Sequence, residues 1–402
     1  MKMNKKAYIV IALLGTIFFF NDDSTIKAKE VRGITDRTIK IGVSADLTGP
    51  VASQLVPLSH AIRYYFRYMN EMGGINGRKI KIVLEDDRVS IPTAFAVYKK
   101  LIHRDKVLAI IGPTSSTQAM ALLPILKKVK MPDIPLSAGE NLVRPTRRYV
   151  IGQASTHSDD VRAMFPYLRD VLKAKNPRIA LVRPDTEYGK TGSKLTKEKS
   201  KEFGYEIVNE EIINYGDIDA SSQVLRMKRI KPDYVFVINS LNPTVVLLRD
   251  SRKYGFSTNF LGSKITCEAD VIKMTGKAAE GYIALHAYCN WFEDVPGINK
   301  MKEITLKYAP QTRPQVTLYS QGWFQSIILA EGVKRAGRNL NSETLISAIE
   351  TIKDFDTGEI AGPVTFSPED HKGNNLLKLY KADIDKGYFV PISGWFKAAP
   401  DK

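Results

Sequence analysis

Cysteine is nearly missing: the 402 residues contain two, Cys267 and Cys289. A small disulfide-knitted scaffold is excluded, and two thiols without histidines at ligand spacing make no zinc site. The pair is still a candidate for one disulfide between neighbouring strand ends, if the chain reaches an oxidising compartment. Histidine is scarce as well. His60, His103, His157, His286 and His371 stand singly, and none is placed as a metal ligand or triad member. There is no Gly-x-Ser-x-Gly elbow and no Cys/His pair, so the common nucleophile signatures are absent. Past the first 28 residues no apolar run reaches membrane-spanning length. No repeat of roughly 20–50 residues and no low-complexity linker interrupts the chain. What is plentiful is positive charge: Lys and Arg number 59 against 43 Asp and Glu, a formal net charge of +16. These residues are spread evenly, with no basic block and no aromatic-interleaved stripe. They describe a solvated basic surface, and no nucleic-acid partner is expected.

The amino-terminal segment has the layout of a secretory leader. Lys2, Lys5 and Lys6 precede the apolar run Ala7 to Phe20, and Ile26-Lys27-Ala28 offers a cleavage site after Ala28. With no cysteine near that site, a lipid-anchored mature end is not expected. The expectation is an exported protein of a Gram-negative periplasm, with residues 1–28 removed. The remainder is long enough for two domains of ordinary size.

The most informative stretch is VLAIIGPTSSTQ, Val107 to Gln118. Its apolar run suits a strand buried on both faces of a parallel sheet. Gly112-Pro113 ends the strand, and Thr114, Ser115, Ser116 and Thr117 open a helical pattern. Such a start offers caps and outward-facing backbone N–H groups, a ready site for a carboxylate or other polar head. The plainer alternative is that one hydroxyl caps the helix and the others face solvent. Around this stretch the pattern reads strand 37–45, helix 59–72, strand 79–85, helix 92–104, strand, helix, and a short strand at 131–137. It restarts with a short strand or connector at 149–153, a helix at 159–173, strand 178–183, a helix to Phe203 and strand 205–212. A helix near 221–229, strand 234–238, helix 242–254, strand 259–262, helix 269–275 and strand 282–287 follow. A long helix within 315–336, a helix at 342–352 and strands near 363–366 and 376–382 complete it. Two α/β units in series, with loops at the carboxyl ends of their strands, imply a cleft between them.

Two enzyme-like features fail on chemistry. Gly189-Lys190-Thr191 has the end of a phosphate-binding loop, but Pro184 stands where that motif needs a glycine with its N–H. Asp46, Asp86, Asp87 and Glu140 lie near strand ends. Asp86 and Asp87 are adjacent on extended backbone and point to opposite faces, so they cannot share a substrate. No enzymatic activity and no cofactor is expected.

Several stretches carry a resemblance. IKIGVSADLTGP (39–50), MNEMGGINGRKIKIVLEDD (69–87), AIIGPTSST (109–117), AAEGY (278–282), AEGVKRAG (330–337) and GPVTFS (362–367) occur in order. Together they resemble the branched-chain amino-acid-type solute-binding proteins of ABC transporters. The resemblance implies a type I periplasmic binding protein fold: α/β, with two doubly wound parallel-sheet lobes joined by a three-strand hinge. It implies a first lobe from 29–150 and 284–365, and a second from 151–283 and 366–402 with the tail. The implied function is to close on a small solute without transforming it, as a monomer, and to deliver it transiently to a membrane permease. A sensor of the same fold reporting to a receptor or kinase is the alternative.

Carried over by position, the carboxylate grip falls on Ser115 and the Ser116 backbone, and the second contact pair on Ser137 and Gly139. Gly139 departs from the family's usual threonine. Tyr188, in a Tyr-Gly pair, matches the aromatic that covers the solute. Lys264 stands where amino-acid binders place a carboxylate facing an ammonium. A lysine there favours a carboxylate-bearing or otherwise anionic solute, unless it turns to solvent and Glu268 supplies the acid. Leu55 replaces a usual glycine, which puts the pocket wall near Gln54 in question.

Overall fold

The computed structural model describes residues 31–152 and 154–400, and those from Arg32 onward form one compact unit. The leader and its cleavage site lie outside the described residues. Four parallel strands build the first sheet: β1 (Thr38–Ala45), β2 (Lys79–Asp86), β3 (Ala109–Ile111) and β4 (Asp133–Ile134), in the order β2-β1-β3-β4. Ile39, Ile41, Val43, Ile110 and Ile111 are fully buried, as expected of strands covered by helices on both faces.

The second sheet is larger. It contains β5 (Arg178–Arg183), β6 (Glu206–Ile212), β7 (Tyr234–Val237), β8 (Asn259–Gly262) and β9 (Ile283–His286), all parallel. A small antiparallel pair, β10 (Thr365–Ser367) and β11 (Asp370–Gly373), precedes the return of the chain. β12 (Leu376–Asp383) then adds antiparallel to β9, followed by β13 (Tyr388–Pro391) and β14 (Phe396–Lys397). The second sheet is therefore mixed at one edge. β11 escapes a reading of apolar runs because DHKG contains none, and β13 and β14 because four and two residues are too short to show a period. The helix Pro296–Tyr308 was likewise not anticipated.

Two boundaries differ for identifiable reasons. The first helix runs Ala52–Glu71 and starts seven residues before the expected Ser59, passing through Pro57. Its entry is held by Asp46, whose carboxylate accepts from Gly49 N (2.6 Å) and Val51 N (2.8 Å). The helices expected at 92–104 and 159–173 each end in a widened turn, at Lys100–Arg104 and Tyr167–Val171.

Segments far apart in the chain pack against each other beside the first sheet. Helix Thr317–Ala336 packs along helix Ala52–Glu71, and the crossing is close: a Cβ on Gly322 would sit 2.6 Å from the Leu58 carbonyl oxygen. The same helix holds the segment after β4, because Gln321 Nε2 donates to Leu136 O (2.8 Å) and Gln325 Nε2 to Pro135 O (2.9 Å).

Where the chain passes between sheets, charges are buried together. In the helix His157–Pro166, Asp159 accepts from Lys372 Nζ on β11 (2.9 Å) and from Arg162 (3.2 Å). Arg162 also reaches Glu140 Oε2 at 2.9 Å. Burial opposes the charge on Asp159, yet Lys372 and its hydrogen bonds bring its pKa below the ordinary value. Removing one partner of a buried pair leaves an uncompensated charge. Lys372→Met is expected to cost about 3 kcal/mol at neutral pH, read from chemical unfolding, whereas removing the solvent-screened pair Lys300–Glu303 is expected to leave the unfolding midpoint nearly unchanged.

Candidate functional site

Helix Ser116–Val129 begins immediately after β3 and its Gly112-Pro113-Thr114 turn. Thr114 serves structure: its N–H and hydroxyl both donate to Asp87 Oδ2 (3.0 Å each), and its hydroxyl accepts from Asp46 N (2.8 Å). Ser115 is also engaged. It forms a capping box with Gln118, accepting from Gln118 N at 3.3 Å while its own N–H and hydroxyl donate to Gln118 Oε1 at 2.9 Å. The backbone N–H groups of Ser116 and Thr117, and the Ser116 hydroxyl, carry no hydrogen bond. The open donors at this helix start thus lie one and two residues beyond Ser115.

Ser137 and Gly139 come next to them. A Cβ on Gly139 would meet Ser116 Oγ at 2.7 Å and Asn141 Oδ1 at 2.9 Å. The Ser116 hydroxyl fills the space a side chain at 139 would need, which accounts for glycine there. Ser137 Oγ is buried without a hydrogen-bond partner. Ser137, Gly139, Ser155, Thr156 and Lys372 line one slot, whose enclosed space of about 10 Å³ admits one water at most.

The other wall is organised by Lys264, in the turn after β8. The lysine is buried, and its ammonium donates to Ser155 O (2.7 Å) and Ser155 Oγ (3.1 Å) while pairing with Asp160 Oδ1 at 3.6 Å. Its backbone N–H also donates to Asp160 Oδ2 (3.3 Å). Burial pushes the Asp160 carboxyl up to about 6 against the pull of Lys264, and burial lowers the lysine. Lys264 is therefore not a free cation facing a solute, and it does not turn to solvent. Its charge is matched inside the protein.

Tyr188 extends the same wall. Its hydroxyl donates to Ser263 Oγ (3.3 Å), and its ring packs edge-on against His157 at 5.3 Å between centroids. Burial, then Lys264, pulls the His157 imidazole down to about 3, so it is neutral; its Nδ1 has no hydrogen-bond partner. His157, Asp160, Ser155 and Ser263 were not singled out from sequence. The one visible signal for the first three was the polar run STHSDD, where the second α/β unit begins; Ser263 had none beyond its place next to Lys264.

Gln54 lies half-buried in the first turn of helix Ala52–Glu71 and makes no side-chain hydrogen bond, while Leu55 packs into the large hydrophobic core. The disulfide expectation resolves differently. Cys267 and Cys289 are free, buried thiols, so the disulfide considered from sequence is not formed. Cys289 instead donates to Glu359 O and accepts from Lys378 Nζ, both at 3.1 Å, and Cys267 packs in the separate core of the second sheet.

A sequence profile of the periplasmic binding protein family matches residues 38–387. The chain belongs to that family. This binding protein is 26% identical over 246 residues to the Leu/Ile/Val/Thr-binding protein of Salmonella typhimurium, covering 61% of this chain and 67% of that one. In structure it is similar to a branched chain amino acid ABC transporter from Thermus thermophilus with bound valine. That match has a TM-score of 0.81 at 24% identity and covers 91% of this chain and 98% of that chain. It is also similar to a fatty acid ABC transporter substrate-binding protein from Thermomonospora curvata, with a TM-score of 0.77, 25% identity and coverage of 92% and 95%. The fold is the α/β type I binding protein fold with two lobes, and the chain is a substrate-binding component of ABC transport within the branched-chain amino-acid group. Members of this family bind solutes and are not enzymes.

The Lys264–Asp160 pair makes a pH-dependent prediction. In Lys264→Met the Asp160 carboxylate loses its cation, so its folded pKa rises further above the unfolded value. Stability is then lost as pH climbs through that raised pKa. The variant is expected to be about 3–5 kcal/mol less stable than wild type at pH 8, with the gap narrowing toward pH 5, measured by urea unfolding at both values.

Proposed function

We propose that this binding protein traps a small carboxylate-bearing solute whose remainder is uncharged, and presents it to a membrane permease. The open N–H groups of Ser116 and Thr117, at the start of a 14-residue helix, carry this reading. With the Ser116 and Ser137 hydroxyls beside them they form a cluster of donors suited to a carboxylate. Ser115 shapes the turn as its cap. Because Ser137 Oγ is buried, a solute reaches it only when the surrounding walls part, which suits a hinged clamp. Tyr188 and His157 close from the second lobe and offer rings and neutral hydrogen-bonding groups.

The Lys264 wall supports the absence of an ammonium. Asp160 and Lys264 satisfy each other, Asp159 faces Lys372, and Glu140 faces Arg162. None of these three carboxylates is left without a cation to receive a positive group, and none of the three cations is left to attract a second anion, while Glu268 opens on a different cavity. The relatives' names span both alternatives, amino acids on one side and a fatty acid on the other.

We take the lobes to divide as 29–150 with 284–365, and 151–283 with 366–402. The packing of helix Thr317–Ala336 on helix Ala52–Glu71 and the pairing of β12 with β9 support this division. The cut at 283 falls on the first residue of β9.

A matched pair of solutes tests the proposal. Leucine and 2-hydroxy-4-methylpentanoate share a carboxylate and a side chain, and differ in ammonium against hydroxyl. The hydroxy acid is expected to bind more tightly in calorimetry, and tighter binding of leucine refutes the ammonium-free reading. Ser137→Ala is expected to weaken the bound acid by about 1–3 kcal/mol. Ser115→Ala is expected to lower unfolding stability by about 0.5–2 kcal/mol through loss of the cap, with a smaller change in affinity.

A further inference from the structure

We propose that a separate cavity beside Glu268 binds an organic ammonium group. The cavity holds about 140 Å³ and shares no lining residue with the slot at Ser137. That volume is comparable to the roughly 150 Å³ engineered cavity that accepts benzene, so it has room for a short alkylammonium. This inference does not depend on the identity of the solute at the rim.

Glu268 is only 7% exposed. Its Oε2 accepts from Thr317 N (3.2 Å) and Thr317 Oγ1 (3.3 Å), at the start of helix Thr317–Ala336. Its Oε1 makes no hydrogen bond and no ion pair. Other buried carboxylates are handled differently. Asp159 has Lys372, Asp160 has Lys264, Glu211 has Arg226 and Glu293 has Lys378. Asp46 and Asp87 are ringed by backbone N–H and hydroxyl donors. Asp133 meets the Tyr98 phenol in a sealed site, where burial raises its pKa well above the ordinary carboxylate range. Glu268 combines a buried position, a free oxygen and an adjoining cavity, with no lysine or arginine in ion-pair reach.

The surroundings specify the kind of cation. Among the described residues no three His, Cys, Asp or Glu groups converge to hold a metal ion. The cavity wall includes Phe292 and Tyr388, stacked at 3.8 Å between centroids, and aromatic rings attract organic cations. Gln315 adds an acceptor. Its amide nitrogen donates to Thr312 Oγ1 (2.8 Å) and Arg313 O (2.6 Å), so its amide oxygen is open. Of the ionisable groups nearby, Asp270 adds negative charge and the Cys267 thiol, pushed up by burial, stays neutral. Burial pushes the Glu268 carboxyl up to about 7, so it ionises fully only above neutral pH or beside a bound cation. Glu268 belongs to the segment after β8, whereas Gln315 and Thr317 lead into the helix packed on Ala52–Glu71. A ligand between them bridges the two lobes.

The experiment titrates the full chain with n-butylammonium chloride and, in parallel, 1-butanol, by calorimetry at pH 8 and pH 6. Butylammonium is expected to bind and butanol not to bind. The affinity is expected to fall roughly tenfold from pH 8 to pH 6 as Glu268 takes up its proton. Glu268→Gln, which keeps an acceptor for Thr317, is expected to weaken binding at least tenfold, and Phe292→Ala several-fold. Should the glutamine variant fail to fold, the alanine variant and the pH series decide. Absence of butylammonium binding to wild type overturns the proposal. So does binding that is indifferent to Glu268→Gln, or, where that variant does not fold, to both Phe292→Ala and pH.

Discussion

Two adjacent carboxylates, Asp159 and Asp160, sit fully inside the protein, and each has its own cation. Asp159 is met by Lys372 on β11, where the chain makes its last passage between sheets. Asp160 is met by Lys264, in the turn after β8. Leaving either carboxylate buried and alone is expensive, so both lysines are held to one arrangement. The wall opposite the Ser116 helix start, the connecting segment at Ser155 and β11 are therefore joined through charge as well as through packing. A site built near this network inherits its shape from groups that need not touch a solute.

That network also explains what could and could not be read from the chain. The parallel core strands were legible because each is a short apolar run ended by a turn: 178–183, 234–237 and 259–262 lie where their patterns put them. The antiparallel additions β13 and β14 were not legible, since two to four half-buried residues carry no periodicity. Lys264 was visible as an unusual residue at a known position. Its meaning was not, because Asp160 lies 104 residues away and nothing in the local pattern announces the pairing. His157 was passed over for the same reason: a lone histidine gives no hint that it will pack against Tyr188.

The Ser115–Ser116 pair shows the limit at finer grain. The sequence Thr-Ser-Ser-Thr before a helix guarantees a cap and a set of spare donors, without saying which residue does which. In the folded chain Gln118 reaches back and occupies Ser115, a capping box that the spacing Ser115–Gln118 does encode. The open donors are displaced toward Ser116 and Thr117. Glycine at 139 belongs to the same adjustment, since it makes room for the Ser116 hydroxyl. One residue of shift at the helix start is thus accompanied by a lost side chain on the neighbouring loop.

Helix Thr317–Ala336 anchors the segment after β4 through Gln321 and Gln325, although 185 and 190 residues of chain separate the partners. During synthesis the first sheet emerges long before this helix, and its outer apolar face on Ala52–Glu71 waits uncovered until most of the protein exists. Contacts of such sequence separation are slow to form and leave early intermediates exposed to aggregation. The rim at Ser137 is consequently among the last parts of the molecule to acquire its final geometry, and a truncated first half of the chain has no means of completing it.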